Sequence, residues 1–367
     1  MDFENAGYLS PSFMIPLVTI SRNYRRENVN FEIVMPSTKK SALHVSNTNW
    51  AHLISPESYE AKGADQLHMS ARQYLNPDEQ FRAVDDSIGV MINSLEGVNR
   101  SGLQALEWAL NEITDNVLNH ANSAVGGIMQ VVNFPNRRRV EFYVCDAGMT
   151  IPRSLRSGRQ DITNDTSALR SAIEEGVTRN KQTNQGNGLF GTFKCCEVSN
   201  GDFDITSGMV SLRARPGELP VTEGTIPFPG TFVRASIGYD YEKLLERALV
   251  FGGKRHVPAH DFIDRFYQID GETIQFKVAI ELKAFGSREA GKLAHAKIEM
   301  LTESFSIPVE FDFENVRLIT SSFADEVFGR IFESMGAVRF GHICRFKNVD
   351  STIRALIDRA IAQRISQ

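Results

Sequence analysis

At 367 residues the chain exceeds one average domain, so two or three domains are expected. With 42% apolar and 23% charged residues it has the composition of an ordinary globular protein, neither disordered nor fibrous. A net charge of −5 gives no electrostatic reason to expect nucleic acid as a partner, and no run approaches the ~18 consecutive apolar residues of a membrane span.

The start, Met1-Asp2-Phe3-Glu4-Asn5, is acidic and lacks the basic residues and apolar run of a signal peptide. Cys145, Cys195, Cys196 and Cys344 form no CxxC pair and read as buried, reduced thiols. A cytoplasmic location is expected.

Residues 1–75 read as a small N-terminal α/β region of unknown role. It has a helix near Met14–Arg26, a strand at Phe31–Met35 closed by Pro36-Ser37, and a short helix within Ala42–Ile54. From Asp78 to Asn122 the pattern is helical, with Leu103, Leu106, Leu110, Ile113, Val117 and Leu118 recurring on one side. Ser101 with Gln104 has capping-box spacing. Strands follow at Gly127–Phe134 and Val140–Cys145, separated by a solvated hairpin tip, Arg137-Arg138-Arg139. Pro152–Gln185 is long and polar, with helical character at Ser167–Glu175; segments of this length are usually lids or binding loops. A Gly-rich turn leads into a helix to about Val198, a strand near Phe203–Thr206, and a last strand at Phe232–Ile237. Residues 241–270 read as a connector. Alternating strands and helices then fill 271–367, the pattern of a layered α/β domain.

Three motifs carry chemistry. In Asn111-Glu112-Ile113-Thr114-Asp115-Asn116-Val117-Leu118-Asn119-His120, helical spacing puts Asn116 and His120 about 40° and 80° around from Glu112. A carboxylate there can orient or deprotonate a group attacking a phosphate, and a carboxamide oxygen suits Mg²⁺. A solvated polar face has the same composition. In Asp146-Ala147-Gly148-Met149-Thr150-Ile151-Pro152, a carboxylate past a strand end can accept a hydrogen bond from an adenine amino group, and Gly148 permits close backbone approach to the base. A plain Asp-x-Gly turn is the competing reading. In Gly186-Asn187-Gly188-Leu189-Phe190-Gly191, opening the helix that holds Lys194, backbone N–H groups can meet phosphate oxygens. It is neither a Walker loop nor a Rossmann fingerprint, because no GK[ST] follows and no strand precedes it.

In this order the three resemble the N, G1 and G2 boxes of the GHKL (histidine-kinase-like) ATPases, and within them the anti-sigma-factor serine kinases are nearest in type. The resemblance covers about 140 residues, within a domain read as 78–240. It implies an α+β sandwich of the Bergerat type and ATP with Mg²⁺ as cofactors. Glu112 would be the general base, Asn116 the Mg²⁺ ligand and Asp146 the adenine reader, while Gly186, Asn187, Gly188 and Leu189 would form the phosphate turn. Thr231, in a Gly-Thr-x-Val pattern, matches the threonine supporting the adenine contact, and Asn119 and His120 match the polar end of the N box. Thr150 departs from the family's second G1 glycine, which puts lid movement and turnover in question more than binding.

Residues 271–367 resemble STAS-type domains, and more closely a STAS-like family of uncharacterised function, with Gly286-Ser287-Arg288 before the first helix. The strand Pro308–Phe313 and the segment Ile319-Thr320-Ser321-Ser322-Phe323-Ala324-Asp325-Glu326 carry it. Ser321 and Ser322 are the candidate phosphosites; a capping box of Ser322 with Asp325 is the competing reading. Thr320 and Phe323 stand where the STAS-type domains of anti-sigma-factor antagonists have aspartate and glycine.

The expected protein is therefore an ATP-binding regulator acting on a protein partner by Mg-ATP-dependent phosphoryl transfer. Contact between the two modules, or a homodimer, is compatible with it. The alternative is a nucleotide-gated interaction protein with slow hydrolysis and no kinase activity. A two-component histidine kinase is disfavoured: His52 and His68 lack the flanking acid and Arg pattern, and His295 reads as a partly buried helix residue.

Overall fold

In the computed structural model the strands read at Gly127–Phe134 and Val140–Cys145 are neighbours in a five-stranded sheet. The strands are β1 (Arg72–Tyr74), β2 (Gly127–Phe134), β3 (Arg139–Asp146), β4 (Phe203–Ala214) and β5 (Val221–Gly238), in the order β1-β2-β3-β5-β4 with every neighbour antiparallel. The structure describes residues 1–62, 70–94, 100–178, 186–255, 269–270, 273–282, 284–304 and 308–365. They divide into two units, 1–91 with 101–257, and 92–100 with 258–367. His68, the lid residues 179–185 and residues 256–268 of the connector lie outside the described residues.

Side chains of β3 alternate between two covered faces, as the two-residue period of a strand requires. Tyr143 and Cys145 face a core formed with Met14, Ile15 and Val18 of α1 (Pro11–Arg25) and Trp50 and Ile54 of α3 (Trp50–Ile54), which follows α2 (Lys39–Asn47). Trp50 Nε1 donates to Gln130 Oε1 at 2.9 Å, so even the polar edge of this large ring is satisfied. The N-terminal residues are thus not a separate region: they cover one face of the sheet, and β1 pairs with β2. The strand expected at Phe31–Met35 is a single bridge, Asp2 to Val34. Its backbone bonds the chain start (Phe3 N to Val34 O and Val34 N to Met1 O, both 2.9 Å) while Phe31, Ile33 and Met35 still pack on the core.

On the same face as Tyr143, Arg234 of β5 ties three strands together. It donates to Glu141 at 3.0 and 2.8 Å and to Asp204 at 2.9 Å. Fork geometry of this kind fixes register more than it adds stability.

The opposite face carries α5 (Arg100–Asn116) and α8 (Gly188–Val198), the latter packed on β5 and β4, while α4 (Pro77–Ser94) lies against α5, Gln80 Nε2 donating to Thr114 Oγ1 at 2.7 Å. Ser101 does not cap α5 as its spacing suggested. It lies inside the helix, and its Oγ accepts from Leu244 N at 2.6 Å. After Asn116 the helix widens into a π turn, Val117–Ala121. The basic run is a tight turn between β2 and β3, Pro135–Arg137 with Arg138 left-handed at φ 50°.

The second unit has a four-stranded sheet. Thr273–Lys277, Val309–Asp312 and Cys344–Lys347 run parallel, and Ile269–Asp270 pairs antiparallel at one edge. Helices Arg288–Ser304 and Ser351–Ile365 flank it. The helix read from Phe323 to Met335 starts at Ser321, passes a π turn at Asp325–Gly329 and extends to Ile343 across a break at Gly336 (φ 74°). Phe276, Phe311, Phe313, Phe323 and Phe328 are fully buried and form its core. All four cysteines are buried free thiols.

Candidate functional site

Between α5, the end of β3, the start of α8 and β5 lies a cleft of about 370 Å³ within the first unit. Its wall contains Glu112, Asn116, Asn119, His120, Asp146, Gly186, Asn187, Gly188, Leu189 and Thr231. All of the site residues singled out between 112 and 231 meet there except Gly148. A small-molecule site typically has this size and mixture of apolar wall with a few polar groups.

Asp146 ends β3, opposite Gly127 on one side and Thr231 on the other. Its carboxylate is buried, 3% exposed, and accepts from Gly148 N at 2.8 Å. Burial pushes it up to about 7, against backbone hydrogen bonds from Gly148 and Thr231 that favour the charged form. Ser207 Oγ lies 3.0 Å from Thr231 Oγ1, donates to Gly230 O at 2.9 Å, and accepts from Ile151 N at 2.9 Å. Ser207 thus ties the base of the cleft to the segment after β3.

Gly148 also meets a packing need inside the chain. A Cβ there would come within 2.1 Å of Ala121 O and 3.0 Å of Ser123 N. The missing side chain lets the turn after β3 close on the end of the π turn, where Met149 N donates to Ala121 O at 2.5 Å.

Glu112 and Asn116 sit one helical turn apart on α5, and the π turn keeps Asn119 and His120 in the wall as well. Single π turns of this kind are frequent at functional sites. Burial first, then the charge of Asp115, raises Glu112 to about 7. Asn119 Nδ2 donates to Asp115 Oδ2 at 2.6 Å. Gly188 lies directly against the first of these groups: a Cβ would be 2.4 Å from Glu112 Oε2.

The glycine turn is set by backbone needs. Gly186 has φ 73°, and a Cβ would meet Val177 backbone at 2.6 Å. Asn187 Oδ1 accepts from Gly176 N at 3.1 Å, and its carbonyl accepts from Gly191 N at 2.7 Å to start α8. Gly188 and Leu189, the first residues of α8, line the cleft.

The segment after β3 folds as α6 (Ile151–Gly158) and α7 (Asp165–Ser171). Thr150, where the resemblance would have glycine, is the N-cap of α6; its Oγ1 accepts from Arg153 N at 3.3 Å, and Pro152 stands in the first turn. Leu155, Ile162, Ala168 and Ala172 make a small separate core against which Ile151, Val177 and Leu189 pack. Thr166 Oγ1 donates to Glu223 at 2.9 Å, joining α7 to β5.

Several wall residues carried no sequence motif: Trp108, Ser154, Thr178 and Phe251. Trp108 lies one turn before Glu112 on α5, a spacing that could have flagged it.

In the second unit Ser321 is exposed at the helix start, but Ser322 is not the cap. Thr320 Oγ1 accepts from Phe323 N at 3.2 Å, and Ser322 Oγ lies 3.2 Å from that oxygen. Asp325 is instead paired with Arg364 at 3.1 Å. Ser287 caps the helix at Arg288 through Ala290 N, at 3.1 Å. At the end of the strand Val309–Asp312, Asp312 accepts from Glu314 N and Asn348 Nδ2, both at 2.9 Å.

Among the described residues no helix is long and apolar enough to cross a membrane, and no three His, Cys, Asp or Glu side chains cluster as a metal site. Comparison of the chain with curated proteins and with solved structures finds no match. Residues 295–354, within the second unit, match the family model of a STAS-like domain of unknown function (DUF4325), so the chain carries a STAS-like C-terminal domain.

Proposed function

We propose that residues 78–240 form a Bergerat-type, GHKL-class ATP-binding module and that the protein is an ATP-dependent regulator whose second unit is STAS-like. The convergence of three motifs, spread from Glu112 to Gly188, on one cleft carries this reading. In it, Asp146 accepts the adenine amino proton at the closed end. The α8 N-terminus and the Gly186–Gly188 turn receive the phosphates.

The residues present suit a magnesium ion brought with the nucleotide. Asn116 would offer a neutral oxygen in a wall that already holds Glu112 and Asp115. The ion would neutralise phosphate charge. Glu112, raised to about 7, is matched to accept a proton from an attacking hydroxyl at neutral pH.

The reaction in this reading is γ-phosphoryl transfer to a serine of a protein partner or of this chain, Ser321 and Ser322 included. Labelled ATP with Mg²⁺ and the purified protein, followed by mass spectrometry, tests it. Phosphoserine is expected, and its absence from the chain and from co-purifying proteins would rule out the kinase.

One observation favours a second reading, a nucleotide-gated interaction protein. The small core of α6 and α7 includes Leu189 from the glycine turn, so the lid helices and the phosphate turn are packed as one body. Ligand at the turn would then bias the lid surface seen by a partner. Glu112→Ala separates the two readings: gating requires that it abolish turnover yet keep a nucleotide-dependent complex.

A further inference from the structure

Resting on the reading of the cleft as a nucleotide site, we propose that the hairpin Val250–Arg255 completes it, with Lys254 as the cationic group that meets the phosphates. No motif marks this segment. It lies past the 78–240 module, and its residues read as connector.

The hairpin joins β6 (Val250–Phe251) and β7 (Lys254–Arg255) through Gly252 and Gly253, at φ 55° and 74°. Two successive positive φ values are those of the two-residue turn that matches strand twist, and Gly-Gly supplies them without strain. Phe251 is part of the cleft wall and lies 6.1 Å from the Phe190 ring of α8. Leu249, just before the hairpin, packs near Gly191: a Cβ there would be 2.9 Å from Leu249 Cδ2. At the tip, Gly252 N donates to Glu175 at 2.5 Å. The next residue, Gly176, donates to Asn187 of the phosphate turn. The tip is therefore held, through two hydrogen bonds and two residues, beside the place where phosphates would lie.

Lys254 pairs directly with Phe251 across the hairpin. Directly paired residues share a face, with Cβ atoms about 5 Å apart. The face that Phe251 turns to the cleft is thus the face that bears Lys254, whose flexible stem adds reach. Among the described wall residues there are three carboxylates, Glu112, Asp115 and Asp146, and no lysine or arginine. A polyphosphate entering that field needs a nearby cation, and exposed Lys254 is placed to supply one. Arg255, on the other face, is 3.8 Å from Glu246 and is less suited.

The test is calorimetric titration of the full chain with Mg-ATP, Mg-ADP and adenosine, comparing wild type with Lys254→Ala, Lys254→Glu and Lys254→Arg. A lost charge-assisted bond weakens Mg-ATP about 10-fold in Lys254→Ala, and charge reversal weakens it further. Adenosine affinity stays within about 2-fold, because the lost bond is to phosphate only, and Lys254→Arg retains most of the ATP affinity. Equal ATP affinity in wild type and Lys254→Glu overturns the assignment while leaving the cleft reading intact. A parallel loss of adenosine binding also overturns it, since that marks a hairpin acting on shape alone. Failure of all three ligands to bind wild type removes the nucleotide reading itself, and this assignment with it.

Discussion

The two units hold the polar residues singled out in their sequences in different ways. In the second unit Thr320, Ser322 and Ser287 sit at helix N-termini, and the hydroxyls of Thr320 and Ser287 accept backbone N–H groups of their own helices. Asp325, which the sequence offered as part of a cap, is paired with Arg364. In the first unit Glu112, Asn116 and Asn187 line a cavity, and the carboxyls of Glu112 and Asp146 are desolvated without any cationic side chain in the described wall. Polar groups satisfied by their own backbone stabilise a fold. Polar groups held at a cavity and raised toward 7 carry a cost in stability, which is the pattern of a ligand site.

That contrast is sharpest in the pH dependence of stability. Both Glu112 and Asp146 have folded values near 7, above their ordinary 4.5 and 3.8, so folding favours the protonated forms. Their contribution is fully present below about pH 4 and is lost as pH rises through about 7, on the order of 3 kcal/mol for each group. Chemical denaturation from pH 4 to 8 should show this decline, and Glu112→Gln with Asp146→Asn should flatten it. A decline unchanged in the double variant breaks the comparison.

A smaller effect is expected for Gly188→Ala. The new Cβ would displace the Glu112 carboxylate from 2.4 Å away, a shift of a flexible side chain rather than of backbone. In the proposed reading, turnover should fall about 100-fold because Glu112 as base would be misplaced. The melting temperature should change little. Loss of folding instead would show that the turn, not the carboxylate, limits the site.

Smaller again, Thr320→Ala should cost about 1 kcal/mol of stability in the second unit, the usual worth of a cap. Ser322→Ala should stay within about 0.5 kcal/mol, because its hydroxyl is only a neighbour of the cap. Denaturant titration distinguishes them, and a reversed order would restore Ser322 as the structural residue.

Much of the cleft was legible because its residues lie on elements with strong periodicity. The apolar spacing from Leu103 to Val117 fixes which side of α5 is buried, and so where Glu112 and Asn116 must emerge. Strands β2 and β3 were read nearly to the residue because both faces are covered and apolar. The limits of β4 and β5 were not. From Thr222 to Pro227 the chain is exposed on both faces, with Gly224 and Pro227 in it, so no alternation marks the strand. α6 was hidden for a related reason: Thr150 and Pro152 read as loop residues, yet they are a cap and a first-turn proline. The hairpin at 250–255 left only Gly252-Gly253 as a trace, since two-residue strands have no period. Residues 1–54 could not be assigned to the sheet at all, because nothing local in α1 tells which distant strands its apolar side will cover.

The most direct measurement is a titration of wild type and Asp146→Asn with Mg-ATP and with adenosine at pH 7.5. Asparagine keeps an oxygen for Gly148 N but loses the charge that, in the proposed reading, would accept a hydrogen bond from the adenine amino group. Wild type should bind both ligands, and the variant should bind each 10- to 100-fold more weakly, roughly the worth of a charged hydrogen bond, while melting no lower. Equal affinity in the two proteins, or no binding to wild type, would contradict a nucleotide cleft built around Asp146.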